Sequence, residues 1–270
     1  MSRADLGGIV SPVSNVLLPR SVRLALWLST DAPAERIATA VQGSDEPHRL
    51  LTRDGTWDLA SLIAEVQSSV LTVAALLPVP GDVAAVPRAQ DQYHAGTPDP
   101  VTAGECLLLG GRERHLIAVP DVQQFGSEWD FGHVVTWHVA QVDEWETAFH
   151  GAIGSLAEAE SQLRTGLTHA TSTIMDLELG MWRPEVKDGI AQLRDARLTD
   201  EDLPSITPRR LAALSLAVRL KAIAELALED TSGGGAVNVW QADQSRAALL
   251  EVLRVARRAI AAATYARIER

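Results

Sequence analysis

Residues 143–179 read DEWETAFHGAIGSLAEAESQLRTGLTHATSTIMDLEL, and this stretch decides the fold that the sequence predicts. From Trp145 onward, apolar and small side chains recur every three or four residues, which is the spacing of one helix face. An unbroken helix of this length spans about 55 Å, more than the diameter of a small domain. We therefore predict a long helix that connects two parts of the molecule. Three glycines favour a bend in it, because each costs a helix about 1 kcal/mol relative to alanine; they are Gly151, Gly154 and Gly166.

The sequence on the two sides of this stretch has different periodicities. Before it, short apolar runs alternate with short helical patterns, and after it only helical patterns occur. The predicted class is α+β. A mixed, partly antiparallel sheet with two helices occupies residues 21–142, a helical bundle occupies residues 143–270, and residues 1–20 form an irregular leader.

Several elements of the N-terminal half follow from local patterns. Continuous apolar residues at 22–28 and 70–77 predict buried strands, the second of them central in the sheet. Leu59, Leu62, Ile63 and Val66 lie at helical spacing and predict a helix over about residues 58–67. A long loop is predicted over residues 78–104, a second loop over 121–132, and a strand over 133–142.

A hairpin supplies the only specific pairing of reactive side chains. Gly110 and Gly111 suit a two-residue turn, because both tolerate a positive φ. That turn fixes a register in which Cys106 lies opposite His115, with their Cβ atoms about 5 Å apart. A thiolate beside an imidazolium is an activated nucleophile. The alternative is an inert buried cysteine, because the same face carries Leu108.

Composition excludes several classes of partner. The net charge is −11 and the pI is about 5.1, so we predict no nucleic-acid binding, which depends on cationic side chains. Cys106 is the only cysteine, so no intramolecular disulfide forms and a reducing cytoplasm is the expected location. No uncharged run of about eighteen apolar residues occurs, so we predict no membrane span.

The other candidate site residues lie in the predicted loops and at the following strand. Tyr93 and His94 occupy the polar tip of the first loop and are candidate ligand contacts, although a poorly ordered loop is an equal alternative. Asp130 and His133 are candidates for a metal or acid–base site. The competing interpretation is a hydrogen-bonded strand histidine. Because no ligand spacing is diagnostic, we predict neither a metal nor a cofactor.

No nucleotide-binding, hydrolase or zinc-protease motif occurs in the sequence, so it favours a protein that is not an enzyme. We predict a non-catalytic protein–protein interaction or assembly module that acts through the apolar helices at 207–229 and 241–263, with self-association as one form. The alternative is a small-molecule-binding protein or enzyme with a pocket where the two halves meet.

Overall fold

The computed structural model describes residues 18–52, 55–89, 98–127, 130–176, 184–196, 198, 203–231 and 239–268. It confirms the α+β class, with one mixed sheet of seven strands and helices around it. In chain order the elements are α1 (Arg20–Leu28), α2 (Ala34–Gln42), β1 (Arg49–Thr52), β2 (Gly55–Asp58), α3 (Leu59–Ser69), β3 (Val70–Leu76), α4 (Pro100–Ala103), β4 (Cys106–Gly111), β5 (His115–Ser127), β6 (Asp130–Val142), α5 (Glu146–Ile153), α6 (Leu156–Asp176), α7 (Pro184–Asp195), α8 (Pro208–Thr231), α9 (Val239–Thr264) and β7 (Ala266–Arg267).

The strand order in the sheet is β2-β1-β6-β5-β4-β3-β7. Every neighbouring pair is antiparallel except β1 and β6, which are parallel. The predicted central position of β3 is wrong, because only the two-residue strand β7 lies outside it. Successive residues of β4 point to opposite faces, yet Leu107, Leu108 and Leu109 are all fully buried. Both faces of the sheet are therefore covered at its centre.

The predicted strand at residues 22–28 is wrong, because this segment is helix α1. The interior covers the helix on all sides, since every residue from Ser21 to Leu28 is buried. The apolar run at 24–28 is short, and such runs occur in buried helices and in buried strands alike, so the run cannot tell one from the other. Arg23 is buried too, and its Nη1 donates to the carbonyl of Val41 at the end of α2, 3.1 Å away.

The hairpin of β4 and β5 exists, but its predicted register is wrong. Leu109 pairs with Leu116 and Gly110 pairs with His115. The connection runs from Gly111 to Arg114, whose backbone carbonyl accepts a hydrogen bond from the Gly111 N–H at 2.9 Å. Cys106 and His115 are consequently not opposite each other; His115 is displaced along β4 by four residues, about 13 Å.

Strands β5 and β6 continue through the segment predicted to be a loop. They pair from His115 opposite Val142 to Ser127 opposite Asp130. Strand β4 pairs with β5 only up to Ala118, and β1 pairs with β6 only at residues 136–138. The far part, residues 121–127 and 130–134, extends beyond the flanking strands, and we call it the ribbon.

The predicted unbroken helix over residues 143–179 is wrong, because α5 ends at Ile153 and α6 begins at Leu156. Gly154 between them has φ +78° and ψ −168°, a conformation that is essentially restricted to glycine. Trp145, directly before α5, and Phe149 within it are both fully buried. Residues 177–179 lie outside the described part of the chain.

Helices α6, α8 and α9 pack against one another, and α7 packs on α8. The end of α9 returns to the sheet. Its last residue, Thr264, accepts a hydrogen bond from the Ala75 N–H at 2.9 Å, and β7 then pairs with β3. Buried apolar side chains from the sheet and from the helices form one continuous cluster. None of the described helices is both long enough and apolar enough to cross a membrane.

Candidate functional site

Asp45 is the centre of a buried polar cluster. Arg20 donates from Nε and Nη2 to its two carboxylate oxygens, at 2.7 and 2.9 Å. His48 Nε2 lies 3.2 Å from Asp45 Oδ2, and His133 Nδ1 lies 3.4 Å from Asp45 Oδ1. On the other side of the His48 ring, the Trp137 indole N–H donates to Nδ1 at 3.2 Å. The cluster joins α1, the segment before β1, and β6.

The Trp137 hydrogen bond determines the tautomer of His48. An indole N–H is only a donor, so Nδ1 of His48 must be the acceptor and Nε2 must carry the proton. That proton points to Asp45. Both ring nitrogens are engaged and the side chain is fully buried, so His48 is not placed to accept a proton from a substrate.

The pKa values of this pair agree with the geometry. Burial lowers the pKa of His48, and the hydrogen bond to Asp45 only partly opposes it, so the ring is neutral. Burial by itself raises the pKa of Asp45, but the hydrogen bonds from Arg20 and His48 outweigh it and hold the pKa below its usual range. A charged pair, Arg20 and Asp45, is thus bound to a neutral histidine.

His115 belongs to a second polar cluster, with Glu146 and Thr72. Its Nδ1 lies 3.3 Å from Glu146 Oε2, and the Thr72 hydroxyl donates to Glu146 Oε1 at 2.6 Å. Gly110 lies beneath them, and a Cβ there would collide with both Glu146 Oε1 and Thr72 Oγ1. Through these contacts Glu146 connects the start of α5 to strands β3 and β5 of the sheet.

Cys106 is fully buried, and burial raises the pKa of its thiol far above the usual value. No histidine lies opposite it, so the pairing that motivated a nucleophile is absent. This environment favours the alternative, a small apolar core residue.

Asp130 and His133 are not brought together. They are three residues apart on β6, so they project to opposite faces, and His133 is bound to Asp45 instead. Tyr93 and His94, like Glu128 and Trp129 of the second loop, lie outside the described residues. Among the residues that are described, no three His, Cys, Asp or Glu side chains are arranged to bind a metal ion.

The ribbon has the most exposed aromatic side chains among the described residues apart from Trp57. Phe131 is 56% exposed and Phe125 is 46% exposed, and Val122 is exposed beside them. Phe125 and Phe131 lie on opposite faces, because Phe125 pairs with Gly132 and Phe131 with Gly126. Apolar surface therefore occurs on both faces of a two-stranded arm.

The sequence analysis missed the Asp45 cluster and the ribbon. Apart from Asp45 and His48, which are three residues apart, the contacts of the cluster join residues at least 25 positions apart in the chain, and no local pattern relates them. A signal for the ribbon was present, because Val122 and Phe125 continue an apolar strand and Gly126 precedes a turn.

Comparison with family models finds two matches, both to the Rv1486c-like protein. Its N-terminal domain matches residues 21–150 and its C-terminal domain matches residues 157–261. The chain is thus similar to this protein over both domains, and the description states no activity. Residues 151–156 separate the two matches, and they include Gly154, which lies between α5 and α6. The predicted domain boundary after residue 142 stays a prediction. No curated protein and no solved structure matches the chain.

Proposed function

We propose that this protein is a non-catalytic interaction module that associates with a second copy of itself through the ribbon. The observation that carries the proposal is the exposure of Phe125 and Phe131 on an arm that extends past the flanking strands. Soluble monomers scatter single apolar side chains over the surface, whereas several on one projection are typical of an interface.

The open edge of β5 supports a second copy as the partner. Over residues 121–127 no described strand pairs with the outer side of β5. An unpaired strand can add to the same strand of another copy, and two antiparallel copies related by a twofold axis form a self-complementary contact. An axis near Gln124 brings Val122 of one copy opposite Gly126 of the other.

The charge of the ribbon is consistent with self-association. Residues 122–126 read VQQFG and contain no charged side chain, although the whole chain has a net charge of −11. Exposed edge strands in monomeric proteins are usually protected by lysine, proline or inward-pointing charges. None of these occurs in this stretch, so charge repulsion between two copies is confined to the ends of the ribbon, at Asp121 and Asp130.

The predicted interaction helices pack on each other and on the rest of the core. Helices α8 and α9 pack together, and the one strongly exposed large apolar side chain described on them is Leu250. The proposal therefore places the contact on the ribbon instead of the helices.

Sedimentation velocity at protein concentrations of about 1–50 µM tests the proposal. This range covers the dissociation constants that are typical of weak dimers. We expect a concentration-dependent dimer for the wild type. Val122→Glu combined with Phe131→Glu should give a monomer, because like charges then lie near each other on one face of the paired strands and the apolar contact is lost. Trp57→Glu is the matched control, since Trp57 is 52% exposed on the edge strand β2, outside the ribbon.

A wild type that stays monomeric over this range contradicts self-association. A dimer that Trp57→Glu dissociates and the ribbon variant does not would move the interface to β2, and the ribbon proposal would be wrong. Circular dichroism of each variant shows whether the fold is retained.

A further inference from the structure

We propose that a cleft between α9 and the loop after β3 binds the oxyanion head group of a small molecule, a carboxylate or a phosphate. This goes beyond the proposed self-association. The cleft holds about 30 Å³ and is lined on one side by Arg257 and Arg258. Its other walls are apolar and come from the end of β3, the following loop and the end of α5; they include Leu76, Leu77, Ala85 and Ile153.

Asp82 is held in the cleft by a tight turn. The turn runs through Pro80 and Gly81, whose φ is +86°, and the Asp82 N–H donates to the Val79 carbonyl at 2.9 Å. Proline followed by a glycine with positive φ is typical of a type II turn. The turn directs one carboxylate at two guanidinium groups.

The two arginines have more donors than Asp82 can accept. Each guanidinium has five N–H donors and no acceptor. Arg257 and Arg258 each contact Asp82 through Nη2 alone, at 3.2 and 3.3 Å. The Nε atoms of both are buried and have no hydrogen-bond partner in the described part of the protein. Two cations therefore meet one carboxylate, and two buried donors lack an acceptor.

Two other arginines of the same molecule form complete, bidentate ion pairs with a carboxylate. Arg20 binds Asp45 through Nε and Nη2 at 2.7 and 2.9 Å. Arg209 binds Glu160 through the same two nitrogens at 2.9 and 2.7 Å. These are the short, bidentate contacts of a charge-assisted pair. The contacts in the cleft are longer and leave Nε out, so the two Nε–H groups can donate to a second oxyanion.

The size of the cleft defines the ligand class. A volume of about 30 Å³ admits one small polar group, so the buried part of the ligand is a single carboxylate or phosphate. The apolar walls favour a short aliphatic chain next to that group. Asp82 competes for the same donors, and its removal should strengthen binding.

Titration of the intact protein with acetate, butyrate and inorganic phosphate, followed by the Nε–H nuclear magnetic resonance signals of the arginines, tests the proposal. We expect saturable shifts of the two Nε–H signals of the cleft. Asp82→Asn should tighten binding about tenfold, and Arg257→Gln with Arg258→Gln should weaken it by at least about tenfold, since hydrogen bonds to charged groups contribute about 1.5–3 kcal/mol. Butyrate that binds more tightly than acetate or phosphate identifies a carboxylate with an aliphatic chain, whereas the reverse order identifies a phosphate.

Arg254→Gln is the matched control. Arg254 lies on the same helix, but Glu251 already binds it through both Nε and Nη2. We expect this variant to bind like the wild type. Absence of saturable binding by both the wild type and Asp82→Asn overturns the proposal, and so does an equal loss in Arg254→Gln, which would indicate general charge attraction. Because Asp82→Asn predicts a gain, the test remains decisive if the double arginine variant does not fold.

Discussion

At the scale of single residues, the side chains with the most reactive potential are used to hold the fold together. His48 is neutral, is fully buried and has both ring nitrogens bound, by Trp137 and Asp45. His115 is engaged by Glu146 at the start of α5. Cys106 is enclosed in the core. His48 shows that a residue type typical of active sites does not indicate catalysis when its donors and acceptors are already occupied by the protein.

The cluster around Asp45 predicts that acid lowers the stability of the protein in two steps. The pKa of His48 is below 6.5 in the folded protein, so on acidification the unfolded chain takes up a proton first. Its contribution is complete above about pH 6.5 and is lost as the pH falls, by up to about 1.4 kcal/mol per pH unit. The pKa of Asp45 is below 3.8, so its contribution is present above that pH and is lost as the pH falls through the folded pKa.

Urea unfolding at a series of pH values between about 3 and 8 measures this dependence. His48→Gln retains a donor for Asp45 and an acceptor for Trp137 without a titrating group. We expect a smaller slope just below about pH 6.5 in this variant, because no group at this position takes up a proton there. Equal slopes for both proteins across the upper range would show that His48 is not the group responsible.

At the scale of elements, the break between α5 and α6 depends on the backbone of one glycine. Gly154 occupies a conformation that other residues adopt only under strain, whereas Gly151 is within α5 and has open space around its Cα. Substitution of glycine by alanine should therefore change the free energy of unfolding in opposite directions at these two positions.

We predict that Gly151→Ala raises the free energy of unfolding by about 0.5–1 kcal/mol, through helix propensity and lower entropy of the unfolded chain. Gly154→Ala should lower it by about 1–3 kcal/mol, because of the strained backbone. Urea denaturation followed by circular dichroism measures both. If Gly154→Ala is as stable as the wild type, the two helices can join, and the break is not determined by this residue.

The elements that were predicted correctly are those with local signals at both ends. Helix α3 begins after Asp58, whose carboxylate accepts a hydrogen bond from the Ser61 N–H, and its apolar residues have helical spacing. Helix α1 was predicted wrongly because its apolar run at 24–28 is short and is equally typical of a buried strand. The β4–β5 register was wrong because two glycines suit close contacts as well as a short turn: Gly110 lies against Glu146, and Gly111 lies against the Ser69 and Arg114 carbonyls.

The candidate sites were less predictable than the fold. Arg20, Asp45 and Trp137 meet only after α1, β1 and β6 have been placed, so local periodicity carries no information about their contact. The same holds for Asp82 and Arg257, which are 175 residues apart. Such sites follow from the topology of the sheet, in which parallel pairing of β1 with β6 spans more than 80 residues of chain.

At the scale of the whole molecule, the two predicted halves share one core. Helix α9 packs on α6 and α8, and its end then joins the edge of the sheet at β3. Thr264 makes this junction, because its hydroxyl donates to the Ala261 carbonyl and accepts from the Ala75 N–H. Disruption of the junction should affect the sheet and the helices together.

We predict that Thr264→Val lowers the free energy of unfolding by about 1–3 kcal/mol, because it leaves the buried Ala75 N–H without an acceptor. Unfolding can be followed by tryptophan fluorescence, which reports on Trp137 and Trp145 among others, and by the helical signal in circular dichroism. The unfolding midpoints from the two signals should shift by the same amount. The shape of the side chain is nearly unchanged, so the loss reflects the hydrogen bond. Thr165→Val is the control, since Thr165 is exposed on α6.

The control should change stability by less than about 0.5 kcal/mol, as surface substitutions usually do. The two optical signals separate the possible causes. A single shared transition in Thr264→Val follows if the core is continuous from the sheet to α9. Two transitions, in which the midpoint from fluorescence shifts and the midpoint from the helical signal does not, would mean that the helices unfold independently of the sheet. The junction at Thr264 would then stabilise only the edge of the sheet at β3.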